Sequence, residues 1–110
     1  MFMILIVNKY VLAEKFAGFA FWPFVIVRHK SLKTNSIFIN HERIHLRQQA
    51  ELFLVLFYLW YGIEFLIRWV QYGNAYLGYR NISFEREAYH HEKSMSYLKN
   101  RRVWSFYRYL

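Results

Sequence analysis

Two short apolar runs near the start of the chain predict β-strands. The first covers residues 3–7, and the second covers residues 19–27, between Gly18 and Arg28. Both runs are short and rich in β-branched or aromatic residues, which is typical of strands. Pro23 lies inside the second run and cannot donate a ladder hydrogen bond, so we expect this strand at a sheet edge or at a bulge.

A helical pattern follows the polar turn at residues 31–35. Ser36 is the expected N-cap, and the sequence then continues without proline. We expect one long helix, or two nearly collinear ones, over residues 37–72, with Gly62 as the break. A loop is predicted over residues 71–81, and Asn81 or Ser83 is expected to cap a final helix over residues 83–100.

The most apolar segment, residues 52–70, is long enough to be tested as a membrane span. As a helix it would extend about 28 Å, close to one hydrocarbon thickness. Glu64 and Arg68 oppose a span, because each costs about 2.5 to 3.5 kcal/mol near the bilayer centre. Their i,i+4 spacing also allows them to pair. The pattern therefore favours a buried or half-buried helix of a soluble or peripheral domain.

Composition narrows the class of protein. The length of 110 residues fits a single domain over residues 1–110. The chain has no cysteine, which excludes disulfides and leaves a metal site to histidine, glutamate and water. Every acidic residue is a glutamate, since no aspartate occurs.

Charge and aromatic content bear on partners and location. Lys and Arg total 15 against seven acids, but they are scattered along the chain, so we expect no nucleic-acid partner. The aromatic fraction of 23% is more than a small domain easily hides, which leaves a membrane surface as a candidate partner. The N-terminus lacks the pattern of a signal peptide, so we expect a cytoplasmic protein, with membrane association as the open alternative.

The sequence NHERIH, residues 40–45, carries the candidate chemistry. On a helix His41 and His45 project from the same face and can present imidazole nitrogens to one ion, with Glu42 beside it. In this HExxH arrangement zinc acidifies a water, and the glutamate takes its proton and later delivers it to a leaving amine. A shuffled chain would contain about 0.014 such motifs, so chance is uncommon. The alternative is that both histidines are ordinary residues of a helix face.

A catalytic metal site needs a third protein ligand and an open position for water. Without aspartate and cysteine this ligand must be another histidine or glutamate. We favour Glu85, and we note that His90 and His91, on neighbouring positions, cannot both face the same ion. The tract at residues 81–92 offers five such side chains: Glu85, Glu87, His90, His91 and Glu92.

These residues resemble the gluzincin metallopeptidases, in which a helical HExxH is followed by a glutamate ligand on a second helix. HERIH matches the first motif. FEREAY is similar to the E-x-x-A-D signature of the CAAX prenyl protease and heat-shock membrane protease group, and more loosely to the peptidase domain of BlaR-type sensors. In this match Glu85 falls on the zinc glutamate and Ala88 on the alanine. Tyr89 stands where the usual aspartate would support the metal ligands.

The resemblance covers residues 37–92 and implies a zinc-dependent peptidase acting on a peptide or protein substrate. His41, His45 and Glu85 would hold Zn²⁺, Glu42 would be the general base and acid, and an extended peptide would add to a sheet edge near residues 21–27. We expect an α+β fold with a zincin-like minimal core, in which a small sheet with an exposed edge strand packs on about three helices. Two alternatives stay open: a noncatalytic helical protein at a membrane interface, and a zinc-binding protein that has lost turnover.

Overall fold

The computed structural model describes residues 3–8 and 18–110, which form an α+β fold with one small mixed sheet. The sheet order is β1-β3-β2, with β1 parallel and β2 antiparallel to β3. The predicted fold class is therefore confirmed. The interpretation of the N-terminus as lacking a signal peptide falls partly outside the described residues. The elements are β1 (Ile4–Val7), β2 (Gly18–Phe21), β3 (Phe24–Val27), α1 (Ser36–Glu51), α2 (Val55–Tyr72), α3 (Ala75–Arg80), α4 (Ser83–His91) and α5 (Tyr97–Asn100).

The prediction of one strand over residues 19–27 is wrong, because the segment is a hairpin of two strands. Trp22 and Pro23, joined by a cis peptide bond, connect β2 to β3. The missing N–H of Pro23 therefore falls in a turn, where neither strand needs it. β3 is the central strand, and its Val25 and Val27 are fully buried. β2 lies at a sheet edge.

The predicted break at Gly62 is also wrong. α1 and α2 are separated at residues 52–54 and bent by 113°, whereas Gly62 lies inside α2. Phe53 and Leu54 have φ values of 55° and 62°, which is a strained conformation for residues other than glycine. Burial of Leu52 beside this turn, in the same apolar cluster as Phe57 of α2, favours the sharp reversal.

Helix α2 has one buried face and one exposed face. Only Phe57 and Glu64 of α2 are buried, so α2 is the half-buried helix that the sequence pattern favours over a membrane span. Among the described residues, no single helix combines the length and the apolar composition that a membrane span needs. Taken together, α1 and α2 have that length and composition, but they are bent by 113°.

Two helix starts differ from the prediction in detail. Asn35, and not Ser36, caps α1, since its Oδ1 accepts a hydrogen bond from the Phe38 N–H at 3.1 Å. The predicted loop at residues 71–81 contains α3, which begins where Asn74 Oδ1 accepts a hydrogen bond from the Leu77 N–H at 3.0 Å. Both caps are Asn side chains, which satisfy otherwise unpaired N–H groups at a helix start.

The start of α4 is held by α2. The Glu64 carboxylate accepts hydrogen bonds from the Ser83 N–H at 2.5 Å and from the Ser83 hydroxyl at 2.7 Å. Arg68 pairs with the same carboxylate at 3.5 Å, as the i,i+4 spacing predicts. The cap therefore comes from another helix, and neither Asn81 nor Ser83 supplies it through its own side chain. The predicted helix over residues 83–100 is two helices, α4 and α5.

The described apolar core consists of two groups. One lies between the sheet and α1, and the other joins the start of α2 to α4 and the C-terminal segment. Helix α1 contacts both β2 and α4, so its polar NHERIH face is enclosed on two sides. The first group contains Ala20, Val25, Val27 and Leu46, and the second contains Leu52, Phe57, Ile82, Phe84 and Phe106.

Candidate metal centre

Helices α1 and α4 are fastened together at both ends by amide side chains of α1. Near the start of α1, Asn40 Nδ2 donates to the carbonyl oxygens of Glu92 and Ser94, each at 2.9 Å. Near its end, Gln48 Nε2 donates to the carbonyl oxygen of Phe84 at 3.1 Å. The two helices therefore run antiparallel, and their facing side chains meet in a buried layer.

The three residues predicted as metal ligands meet in this layer. His41 Nε2 lies 3.2 Å from His45 Nε2, and Glu85 Oε1 lies 3.3 Å and 3.0 Å from these two nitrogens. All three side chains are buried. In a tetrahedral zinc site with ligand bonds of 2.0–2.1 Å, neighbouring ligand atoms lie about 3.3 Å apart. The three distances therefore fit one face of such a site.

The orientation of the His45 ring is fixed by Gln48. Gln48 Nε2 donates to the Phe84 carbonyl and, at 2.9 Å, to Glu87 Oε1. The amide oxygen of Gln48 must then be the atom that lies 2.8 Å from His45 Nδ1. Because that oxygen only accepts, Nδ1 carries the proton, and the lone pair of neutral His45 is on Nε2.

A carboxylate fixes the His41 ring in the same way. His41 Nδ1 donates to Glu92 Oε2 at 3.2 Å. Tyr89, which stands in the place of the expected aspartate, instead packs against His41 in a T-shaped arrangement, with ring centroids 4.5 Å apart. Glu92 therefore supplies the carboxylate that the sequence motif lacks at Tyr89. Metal-ligating histidines commonly donate their second N–H to such a partner.

His45 and Glu85 shift each other's pKa in opposite directions. Burial disfavours the charged imidazolium of His45, but the adjacent Glu85 carboxylate outweighs this and raises the pKa of His45 to about 9. Burial also acts against the Glu85 carboxylate, yet His45 and the hydrogen bonds from both imidazoles hold the pKa of Glu85 well below its usual range. Neutral His41 and His45 would turn two lone pairs and a carboxylate oxygen toward one point, so this arrangement calls for a cation there.

The second oxygen of Glu85 is bound by a tyrosine from α2. The Tyr61 hydroxyl donates to Glu85 Oε2 at 2.8 Å, which leaves Oε1 for the imidazoles. Tyr79 lies on the open side of the centre, where its hydroxyl is 2.9 Å from the hydroxyl of Tyr89. Burial raises the pKa of Tyr79 far above its usual range, so this phenol stays protonated.

Glu42 faces a cleft beside the three ligand residues. Among the described residues, no side chain forms a hydrogen bond with its carboxylate. Burial raises the pKa of Glu42 above its usual range, while His45 and His41 act in the opposite direction. A cavity of about 310 Å³ opens here, with the ligand residues and Glu42 on one wall and Phe19, Phe57, Tyr58, Tyr61, Phe65 and Tyr79 on the others.

Strand β2 forms part of the cleft wall, and its edge is partly covered. The Ala20 carbonyl accepts hydrogen bonds from Gln49 Nε2 at 2.8 Å and from the Tyr58 hydroxyl at 2.7 Å. Gln49 Oε1 in turn accepts from the Trp22 N–H at 2.6 Å. These two side chains occupy hydrogen-bonding groups that an added peptide strand would otherwise use.

The other candidate ligands in the tract at residues 81–92 have different partners. Glu87 is bound by Arg101, whose Nε lies 2.5 Å from Glu87 Oε2, and by the Tyr97 hydroxyl. His91 Nε2 lies 2.6 Å from the Tyr109 hydroxyl. His90 is exposed. None of these three belongs to the group of side chains that could share one ion.

Arg101 links the C-terminal segment to the two helices of the centre. Besides Glu87 it binds Glu51 at the end of α1, with Arg101 Nη1 and Glu51 Oε2 2.5 Å apart. Burial acts against the charge, but the bonds to both carboxylates raise the pKa of Arg101 further, so it stays charged. The sequence offers no spacing signal for this network, since its members lie 14 and 50 residues apart.

The fold and the site together define an α+β protein with a candidate His₂Glu metal centre between two helices. Comparison with family models, with curated proteins and with solved structures gives no match to this chain.

Proposed function

We propose that this chain is a zinc-dependent metallopeptidase of the gluzincin type that hydrolyses peptide bonds. The observation that carries the proposal is the meeting of His41 Nε2, His45 Nε2 and Glu85 Oε1 within 3.0–3.3 Å. Hydrogen bonds at both Nδ1 atoms support it, because they direct both Nε2 lone pairs to one point. With HExxH on α1 and the glutamate on α4, these residues fit a zinc ion better than a metal that prefers only oxygen ligands.

In this proposal His41, His45 and Glu85 hold the ion, and zinc when bound supplies a Lewis acid that acidifies water and polarises a carbonyl. Glu42 takes the proton from the attacking water. It holds that proton on its carboxyl group and delivers it to the amine nitrogen as the C–N bond breaks. Tyr61 keeps Glu85 oriented through its second oxygen. Tyr79 contributes a protonated phenol to the wall of the cleft, where its hydroxyl contacts that of Tyr89.

The cleft favours a peptide or protein substrate with a large apolar side chain near the scissile bond. Its walls are aromatic on the side of α2 and β2, so an apolar side chain would lose water contact there. Because Gln49 and Tyr58 already occupy the Ala20 carbonyl, backbone pairing with the substrate is limited to the rest of the β2 edge. We therefore expect side-chain burial to contribute more to specificity than strand addition does.

The test combines metal analysis with peptide cleavage. We expect purified protein to bind about one zinc per chain and to cleave members of a mixed peptide library. Glu42→Gln should keep zinc but lose about 10²- to 10⁴-fold in rate, because it removes the proton carrier alone. His45→Ala and Glu85→Ala should lose both zinc and cleavage.

Each other outcome points to one of the alternatives. Wild-type protein that binds no zinc would exclude the metallopeptidase and favour a noncatalytic protein. Zinc binding without cleavage of any library peptide would indicate a zinc-binding protein that has lost turnover. Equal cleavage by wild type and Glu42→Gln would show that the activity comes from another source.

A further inference from the structure

The side of α2 that faces away from the metal centre is a continuous apolar surface. Its residues recur at helical spacing and are 52–85% exposed, far more than an ordinary half-buried helix face requires. None of them lines the cavity beside Glu42. We name this surface the α2 outer face. It consists of Val55, Leu56, Leu59, Ile63, Leu66, Ile67 and Val70.

The α2 outer face carries no charge. Glu64 and Arg68 are the only Lys, Arg, Asp or Glu residues in α2. Both are largely buried: their side chains are 7% and 15% exposed, they pair with each other, and Glu64 also binds Ser83. The two charged side chains of α2 therefore pair with each other, and the α2 outer face presents only aliphatic side chains.

A basic aromatic segment adjoins this face. Trp104 and Leu110 line one groove together with six residues of α2. Four of the six belong to the α2 outer face, at positions 56, 59, 63 and 67, and the other two are Trp60 and Glu64. The C-terminal stretch of residues 99–110 has four cations and no acid. Arg101 is buried against Glu51 and Glu87, whereas the other three cations are exposed, namely Lys99, Arg102 and Arg108.

We propose that the α2 outer face docks on the surface of an anionic lipid bilayer, with α2 lying in the plane of the interface. Apolar residues would enter the boundary between headgroups and acyl chains, Trp104 would sit at headgroup level, and the exposed cations of the C-terminal stretch would meet anionic headgroups. This interaction surface is separate from the peptidase proposal, since it requires neither the metal nor Glu42.

Charge favours a bilayer over a second copy of the chain. Each copy carries a formal net charge of +8. A twofold dimer through this face would bring together two chains that each carry exposed cations in the C-terminal stretch. An anionic bilayer instead attracts these cations while it takes up the apolar side chains.

The experiment is flotation of the full-length chain with vesicles. Two compositions are compared: phosphatidylcholine alone, and phosphatidylcholine with about one third phosphatidylglycerol. We expect binding to the anionic vesicles that weakens as salt is raised. The triple variant Leu59→Ser, Ile63→Ser and Ile67→Ser should reduce the apparent affinity at least about tenfold.

Two further variants separate the contributions. The matched control Leu59→Ile, Ile63→Leu and Ile67→Leu keeps the apolar area and should bind within about twofold of wild type. The double variant Arg102→Gln and Arg108→Gln should lose about tenfold on anionic vesicles and little on neutral ones. Circular dichroism of each variant establishes that its helices are retained.

Three results would overturn the proposal. The first is a folded wild-type protein that does not float with anionic vesicles. The second is equal flotation of the serine variant and the control. The third is a concentration-dependent dimer in sedimentation analysis that the serine variant abolishes, with no vesicle binding, which would assign the face to a second copy. A failed peptidase assay would leave all three readouts unaffected.

Discussion

Gln48 and Glu92 determine which atoms of the two imidazoles face Glu85. The carboxylates of Glu85 and Glu92 together would balance the charge of a divalent cation. Gln48 adds no charge, because an amide is neutral. It accepts a hydrogen bond from His45 and donates one to Glu87. The partners of the imidazoles thus set the orientation of the ligands and the charge balance of the centre.

Replacement of Gln48 tests this role. Gln48→Met keeps a side chain of similar length but removes the acceptor for His45 Nδ1, so the ring is free to rotate or change tautomer. We expect zinc affinity to fall about 10- to 100-fold. Competition with a chromophoric chelator measures the affinity directly.

The neighbouring residue provides a matched control. Gln49→Met makes the same chemical change one position away, where the amide binds Ala20 and Trp22 of the β2 hairpin. It should leave zinc affinity within about twofold, since the hydrogen bonds of the Gln49 amide go to Trp22, Ala20 and Tyr58 and not to either imidazole. Equal losses in the two variants would assign the effect to general destabilisation.

The sequence predicts the members of the centre that belong to a short motif. His41, Glu42 and His45 follow from helical spacing. Glu85 follows from its place in the downstream sequence FEREAY. The hydrogen-bond partners of these residues lie outside the motif. Gln48 could still be inferred, because it lies three positions after His45 and hence on the same helix face. Tyr61 carried no such signal, because its contact with Glu85 depends on how α2 folds back over the centre.

At the scale of elements, the fold departs from the prediction where a tertiary contact overrides a local preference. Glycine is the weakest residue in a helix, which is why Gly62 was expected as the break. The chain reverses instead at Phe53 and Leu54, where no glycine or proline occurs. Burial of Leu52 and Phe57 on either side outweighs the strain, and a propensity scale contains no information on that packing.

Alanine substitution at the two helical glycines, Gly62 and Gly78, is expected to change the stability of the chain in opposite directions. Gly62 has open space around its Cα, so Gly62→Ala should stabilise the chain by about 0.5–1 kcal/mol through helix propensity. A Cβ at Gly78 would lie 2.8 Å from backbone atoms of Trp69, where α3 crosses α2. Gly78→Ala should therefore destabilise the chain by about 1–3 kcal/mol.

Urea unfolding followed by circular dichroism measures both changes. Each substitution adds the same methyl group inside a helix, so each serves as the control for the other. A loss of stability in both variants would mean that α2 cannot accept a side chain at Gly62. A gain in both would mean that α2 and α3 separate easily, and that the close approach at Gly78 contributes little.

At the scale of the whole molecule, a polar layer lies between two small apolar groups. The sheet side and the C-terminal side of the core meet across α1 and α4, where His41, His45 and Glu85 are buried together. Buried ionisable groups cost free energy unless they are paired or bind a metal. The stability of the fold should therefore depend on what neutralises this layer.

Under the proposed function, removal of the bound zinc should destabilise the entire domain. A metal that binds the folded state only, at a free concentration 100-fold above its dissociation constant, adds about 2.7 kcal/mol to the free energy of unfolding. For a chain of this size, a chelator should lower the melting temperature by about 10 °C, and excess zinc should restore it. Differential scanning calorimetry measures both steps, and magnesium should not replace zinc, because imidazole is a poor ligand for it.

His45→Ala provides the control for this prediction. The variant lacks one of the three ligands, so its melting temperature should not respond to chelator or to zinc, whatever its own stability. A wild-type protein that loses zinc to the chelator but melts at an unchanged temperature would contradict the argument. That result would mean that protons on His45 neutralise the layer as well as a metal does, consistent with a pKa raised by Glu85 to about 9.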